Sequence, residues 1–102
     1  MDMADLMKQA QQFQQNLKTV QDELATKKVT GRAGGGMVIA TFNGQCDLLT
    51  LSMENDLLQP DNKQMLQDLL VAAINDGLRQ AKELAKTEMG KLTGGMNIPG
   101  LM

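Results

Sequence analysis

The sequence of 102 residues contains no histidine, no tryptophan and no tyrosine, and its only aromatic residues are Phe13 and Phe42. Without histidine there is no Ser/His or Cys/His pair to activate a nucleophile. The single cysteine, Cys46, allows no disulfide within the chain and falls short of a zinc-binding set. No stretch approaches the roughly 18 apolar residues of a membrane span. The first residues, Met1-Asp2-Met3-Ala4-Asp5, are acidic where a secretory signal is basic and then apolar. The expected class is a cytoplasmic, non-enzymatic protein of one domain, with no metal, cofactor, membrane or small-molecule substrate. Acid pairs such as Asp22/Glu23 and Glu54/Asp56 flank expected turns and read as solvated surface.

What the chain does have is aliphatic: Leu, Val, Ile, Ala and nine methionines must make the core. Methionine fills irregular gaps and suits adaptable contact surfaces. Charge is unevenly spread. The formal net charge is −2, but residues 26–46 carry Lys27, Lys28 and Arg32 with no acid. Residues 47–78 set Lys63 against six acids, and residues 79–102 return to a surplus of cations. The chain thus has two basic zones around one acidic zone.

Met3, Leu6, Ala10, Phe13, Leu17, Val20 and Leu24 follow one another at alternating spacings of three and four. That heptad stripe predicts a helix over about 3–25, packed along another helix. Val29 and Thr30 open an extended segment that Gly34-Gly35-Gly36 interrupts. Met37–Phe42 reads as a strand, Asn43-Gly44 as a type I′ hairpin turn, and about Cys46–Met53 as the returning strand. The strand at 37–42 is apolar on both faces, with Met37 and Ile39 on one and Val38, Ala40 and Phe42 on the other. Helices cover one face, so the second needs another cover. After Pro60, Asp61 and Gln64 resemble a capping box, and a second helix is expected from about 62 to 89, ending at Gly90. Its first part, Met65 to Ile74, is apolar nearly all round and predicted to be deeply buried; the rest narrows to Leu78, Ala81, Leu84 and Ala85. Residues 1–90 form the expected domain and 91–102 a flexible tail.

At a rise of 1.5 Å per residue both helices are longer than strands of seven or eight residues, so their stripes overhang the sheet. The overhangs can bury only against each other or against a second copy, which predicts a homodimer. Its helix-packing and dimer core would include Leu6, Phe13, Leu17, Val20, Leu70 and Ile74.

The run Gly31-Arg32-Ala33-Gly34-Gly35-Gly36 lies between strands and lacks the Gly-Lys-Ser/Thr ending of a phosphate loop, so it reads as a connection. Arg79, Lys82 and Lys86 fall within about 60° of one another on the second helix, opposite its apolar stripe. Together with Lys27, Lys28 and Arg32 they are the candidate phosphate contacts. The competing reading is a solvated helix face, with Glu83 placed to pair with Arg79 and Lys86. The missing Trp and Tyr argue against single-strand binding, which favours aromatic stacking.

Five segments in order carry a resemblance over nearly the whole chain. They are Met7-Lys8-Gln9-Ala10-Gln11-Gln12; Val29-Thr30-Gly31 with Gly34-Gly35-Gly36; Asn43-Gly44; Leu66 through Asp76; and Met89-Gly90 with Gly94-Gly95-Met96 and Pro99-Gly100. In these the sequence resembles the YbaB/EbfC family of bacterial nucleoid-associated proteins. The resemblance implies an α+β protomer of order α-β-β-β-α, with a three-stranded antiparallel sheet and two long helices. It also implies a tweezer-like homodimer that binds double-stranded DNA and organises the nucleoid, without enzyme activity or cofactor. The rival expectation is a helical adaptor that binds a protein partner through its overhanging helices.

Overall fold

The structure, a computed structural model, describes residues 2–92. Helix α1 spans Met3–Thr26, and three strands follow: β1 (Lys28–Ala33), β2 (Val38–Asn43) and β3 (Leu48–Met53). Two short 3-10 turns at Asn55–Leu58 and Pro60–Asn62 lead into helix α2, Lys63–Leu92. The strands form an antiparallel meander in the order β1-β2-β3. The chain therefore has the expected α+β order.

Asp2 starts α1 by accepting a 2.9 Å bond from the Asp5 amide on its side chain, satisfying one of the helix's open donors. Helix α2 begins differently from the expected capping box. Gln64 donates forward to Asp68 Oδ1 at 3.0 Å instead of reaching back, and the Pro60–Asn62 turn leads into the helix. At its other end α2 runs through Gly90 to Leu92, two residues into the expected tail; residues 93–102 lie outside the described residues.

The hairpin also departs from the type I′ expectation. Neither Asn43 nor Gly44 has a positive φ; Cys46 does, at 68°. The Cys46 amide donates to Asn43 O at 3.1 Å, and the Asn43 amide to Asp47 O at 3.0 Å. That is a three-residue loop whose last residue is left-handed, the next commonest hairpin connection. Asn43 is buried and fixes the loop from within: its Oδ1 accepts from the Gln45 and Asp47 amides, and its Nδ2 donates to Asp47 Oδ2. Gly44 is required for closeness instead, because an added Cβ would stand 2.7 Å from both Cδ2 and the carbonyl oxygen of Leu24.

Helix α2 lies across β1 and β2. The core is Val38, Ala40 and Phe42 from β2, Leu57, and Ala73 and Ala81 from α2. Small residues bring the backbones together: a Cβ on Gly31 would lie 2.2 Å from Ala73 O, and one on Gly77 would lie 2.6 Å from the Phe42 ring. Strand alternation and register then assign the faces. Val29, Gly31, Ala33, Val38, Ala40, Phe42, Leu51 and Met53 face α2; Lys28, Thr30, Arg32, Ile39, Thr41, Thr50 and Ser52 face away.

Two apolar stretches stay largely uncovered within the protomer: the α1 stripe, expected to bury against the other helix or a second copy, and the first part of α2, expected to be deeply buried. Of the α1 stripe only Leu24 is buried; Leu17 and Val20 are partly covered, while Leu6 and Phe13 are 50% and 42% exposed. Only the C-terminal end of α1 docks, through Gln21, Leu24 and Lys27, so the helix projects and the molecule is 69 Å long but 22 by 16 Å across. The first part of α2 is not deeply buried either: Leu70 and Ile74 are half-buried against the core, and Val71 is 60% exposed. The uncovered apolar surface is also elsewhere than expected. On the far face of β2 only Ile39 is apolar, among threonines. On the near face α2 stops short of β3, leaving Leu48, Leu49 and Leu51 exposed.

Candidate nucleic-acid interface

The six cations selected from the sequence fall into three settings. Lys27 caps the end of α1, and its Nζ donates to Glu88 Oε1 at 2.9 Å. Lys91 approaches the same oxygen at 3.4 Å, and the Glu88 side chain is only 12% exposed. The hydrogen bond from Lys27 holds the Glu88 carboxyl below its ordinary value, and burial opposes it without prevailing. Lys27 is thus already satisfied by a carboxylate, as an anchor of α1 on α2.

Arg79, Lys82 and Lys86 lie on the half of α2 turned away from Ala73, Gly77 and Ala81, as 100° per residue requires. The expected pairing through Glu83 does not form. Arg79 pairs with Asp76 one turn back, whereas Lys82 and Lys86 are exposed with no ion pair among the described residues. Asp76 is a small hub: besides Arg79 it accepts from the Arg32 amide and from Gln80 Nε2, each at 3.1 Å. Gln80 Nε2 also reaches Thr30 O at 2.9 Å, stitching α2 to the edge strand β1.

Lys28 and Arg32 occupy the third setting, the far face of the sheet. Both are exposed, and neither side chain has an ion partner among the described residues. Across from them stand Thr30, Thr41 and Thr50 in one cross-strand row, and Arg32, Ile39 and Ser52 in the next. No strand position on this face is acidic.

The two basic zones meet in the protomer only where Lys27 and Lys91 share Glu88; the sheet layer separates Lys28 and Arg32 from Lys82 and Lys86. Sequence reasoning located the cations but missed Asp76 and Glu88, which remove Arg79 and Lys27 from the available set. The signal for the faces was present in Gly31: a glycine amid a β-branched strand marks the close approach of another backbone.

Among the described residues no group of three or more His, Cys, Asp or Glu comes together as a metal site. Among these residues no helix is long and apolar enough to cross a membrane. The depression beside Lys82, lined by Asn75, Leu78, Arg79 and Glu83, belongs to the outer face of α2.

Comparison with known proteins fits this architecture. The model of the YbaB/EbfC DNA-binding family matches residues 1–96. A nucleoid-associated protein of Desulfotalea psychrophila is 54% identical over 99% of this chain and 95% of its own length. One from Syntrophobacter fumaroxidans is 47% identical over 93% of this chain and 86% of its own. The crystal structure of an uncharacterized protein from Helicobacter pylori superposes with a TM-score of 0.84 at 28% identity, covering 92% of this chain and 99% of that one. The residues, the fold and these likenesses agree: the chain belongs to the YbaB/EbfC DNA-binding family.

Proposed function

We propose that the protein binds duplex DNA as a homodimer, chiefly through phosphates, and so shapes nucleoid DNA in the cytoplasm and the expression of genes on it. The observation that carries this reading is the pair Lys82 and Lys86, exposed and without ion partners on the outer side of α2, in a family named for DNA binding. The role we read is one of binding, as the family's description states. The relatives named nucleoid-associated support the location.

The dimer is supported by the uncovered apolar surface. The α2 residues that meet β1, namely Asp76 and Gln80, lie on one flank of the helix. Val71, Ile74 and Leu78 lie on the other flank, towards β3 and its exposed Leu48, Leu49 and Leu51. Helix and bare strand make a self-complementary apolar step that a second copy fills by a two-fold contact. A contiguous apolar patch of this kind marks an interaction site.

An electrophoretic mobility shift at two salt concentrations tests DNA binding. Each phosphate neutralised contributes about −0.9 to the slope of log K against log salt. Changing Lys82 and Lys86 together to Ala is expected to weaken binding to every sequence and flatten the slope, while Lys63→Ala in the acidic zone leaves both unchanged. The exposed α1 stripe, Leu6 and Phe13 above all, favours a second reading, an adaptor for a protein partner. Absence of any shift at low salt moves that reading ahead.

A further inference from the structure

The far face of the sheet has no part in the α2 contact or the dimer proposed above. Lys28 and Arg32 stand there on the edge strand β1, beside the hydroxyls of Thr30, Thr41, Thr50 and Ser52. In a chain of net charge −2, a face with two cations and no acid at any strand position is a local positive surface. The nearest acids in sequence on β3's side, Asp47 and Glu54, lie just outside its ends. Asp76, which accepts from the Arg32 amide, forms no ion pair with its guanidinium. Its carboxylate is occupied by the Arg32 amide, Gln80 and Arg79. Helix α2 covers only the opposite face, so Lys82 and Lys86 point to the other side of the molecule.

We propose that this sheet face takes the backbone of a second DNA duplex, so that the protein bridges two duplexes, one at the outer side of α2 and one at the far face of the sheet. The chemistry is that of phosphate recognition: two cations neutralise phosphates, and threonine and serine hydroxyls donate to phosphate oxygens without reading bases. Charge complementarity selects the occupant: the carboxylate at the margin beside Lys28, Asp47, is engaged by Nδ2 of Asn43, the cross-strand neighbour of Lys28, and no large apolar patch is present to favour an apolar partner. Two faces separated by a sheet layer cannot serve one stretch of straight duplex, whereas they can hold two.

This inference rests on the DNA-binding reading above, and a two-part experiment separates their failures. One duplex is tethered to beads, and capture of a second, labelled duplex is measured beside a mobility shift on a single duplex. The full chain is expected to shift the single duplex and to capture the second. The variant carrying Lys28→Gln and Arg32→Gln is expected to keep the shift while capture falls on the order of tenfold. Both side chains are exposed and only the backbone amide of Arg32 is engaged, so the melting temperature should be unchanged and report a folded variant. A wild-type shift without capture, capture undiminished in the variant, or loss of the variant's shift along with capture would each overturn bridging while leaving DNA binding intact. No shift by wild type at low salt overturns both.

Discussion

Three glycines hold the architecture together because they have no side chain, and only one of the three contacts concerns a turn. Gly31 sits where a Cβ would collide with the α2 backbone, at 2.2 Å from Ala73 O and 2.3 Å from the Gly77 amide nitrogen. No flexible side chain can yield there, so Gly31→Ala must push α2 off β1. The expected cost is about 1–3 kcal/mol or more, the range for overpacking. In a domain of this size each kcal/mol lowers the melting temperature by roughly 4–8 °C, which a thermal melt reads directly. Gly90 makes the opposite case. It lies inside α2 with nothing within 4 Å of an added Cβ, so Gly90→Ala should raise the melting temperature, by about 0.5–1 kcal/mol in helix propensity.

At the scale of elements, the weak joint is the one between α1 and the rest. Only its C-terminal end is docked, where the Gln21 carbonyl also accepts from Gln45 Nε2 at 2.8 Å. Leu24 packs over Gly44 and accepts the Gly44 amide at 2.8 Å, and Lys27 reaches Glu88 on α2. The carboxyl of Glu88 is depressed below its unfolded value, so its ionised form favours the folded state. That contribution is present above the unfolded value, about 4.5, and is lost as pH falls through the lower folded value. Glu88→Gln should therefore lower the melting temperature at neutral pH, and the gap from wild type should narrow as the pH falls below about 4.5. Melts across that range check the sign; a gap that widens in acid would contradict the ion-pair account. By contrast β2 is anchored in the core. Phe42→Ala removes its largest buried side chain and is expected to cost about 3–5 kcal/mol.

Taken whole, the molecule is a sheet with one helix laid on it and another projecting from its end, and much of its apolar surface is uncovered. Val71 discriminates between a protomer that stands alone and one that pairs. It is 60% exposed in the protomer, so Val71→Asp should be nearly neutral there. In a dimer it would bury an unpaired charge. Light scattering at micromolar concentration is expected to give about twice the 11.1 kDa chain mass for wild type and a shift towards the single mass for Val71→Asp. A variant that stays wholly dimeric would place the interface elsewhere on the surface.

The sequence by itself determined the run of helix, strands and helix, because that follows from local periodicity, while the three-stranded antiparallel sheet followed from the family resemblance. The heptad spacing from Met3 to Leu24 specifies a helix whatever it packs against, and the apolar run at 37–42 next to Asn43-Gly44 specifies a hairpin. It also placed the cations along the chain, since charge is read directly from the residues, but not their roles. Three things waited for the tertiary structure, and each depends on neighbours remote in the chain. One is the turn type, decided when Leu24 and the side chain of Asn43 shaped the loop and left Cys46 with the positive φ. Another is which cations remain available, decided by Glu88 reaching back 61 residues to Lys27 and by Asp76 gathering Arg79. The last is which faces they share. A strand's alternation gives two sides, but only the contact of Gly31 with α2 says which of them the helix covers and which, with Lys28 and Arg32, it leaves open.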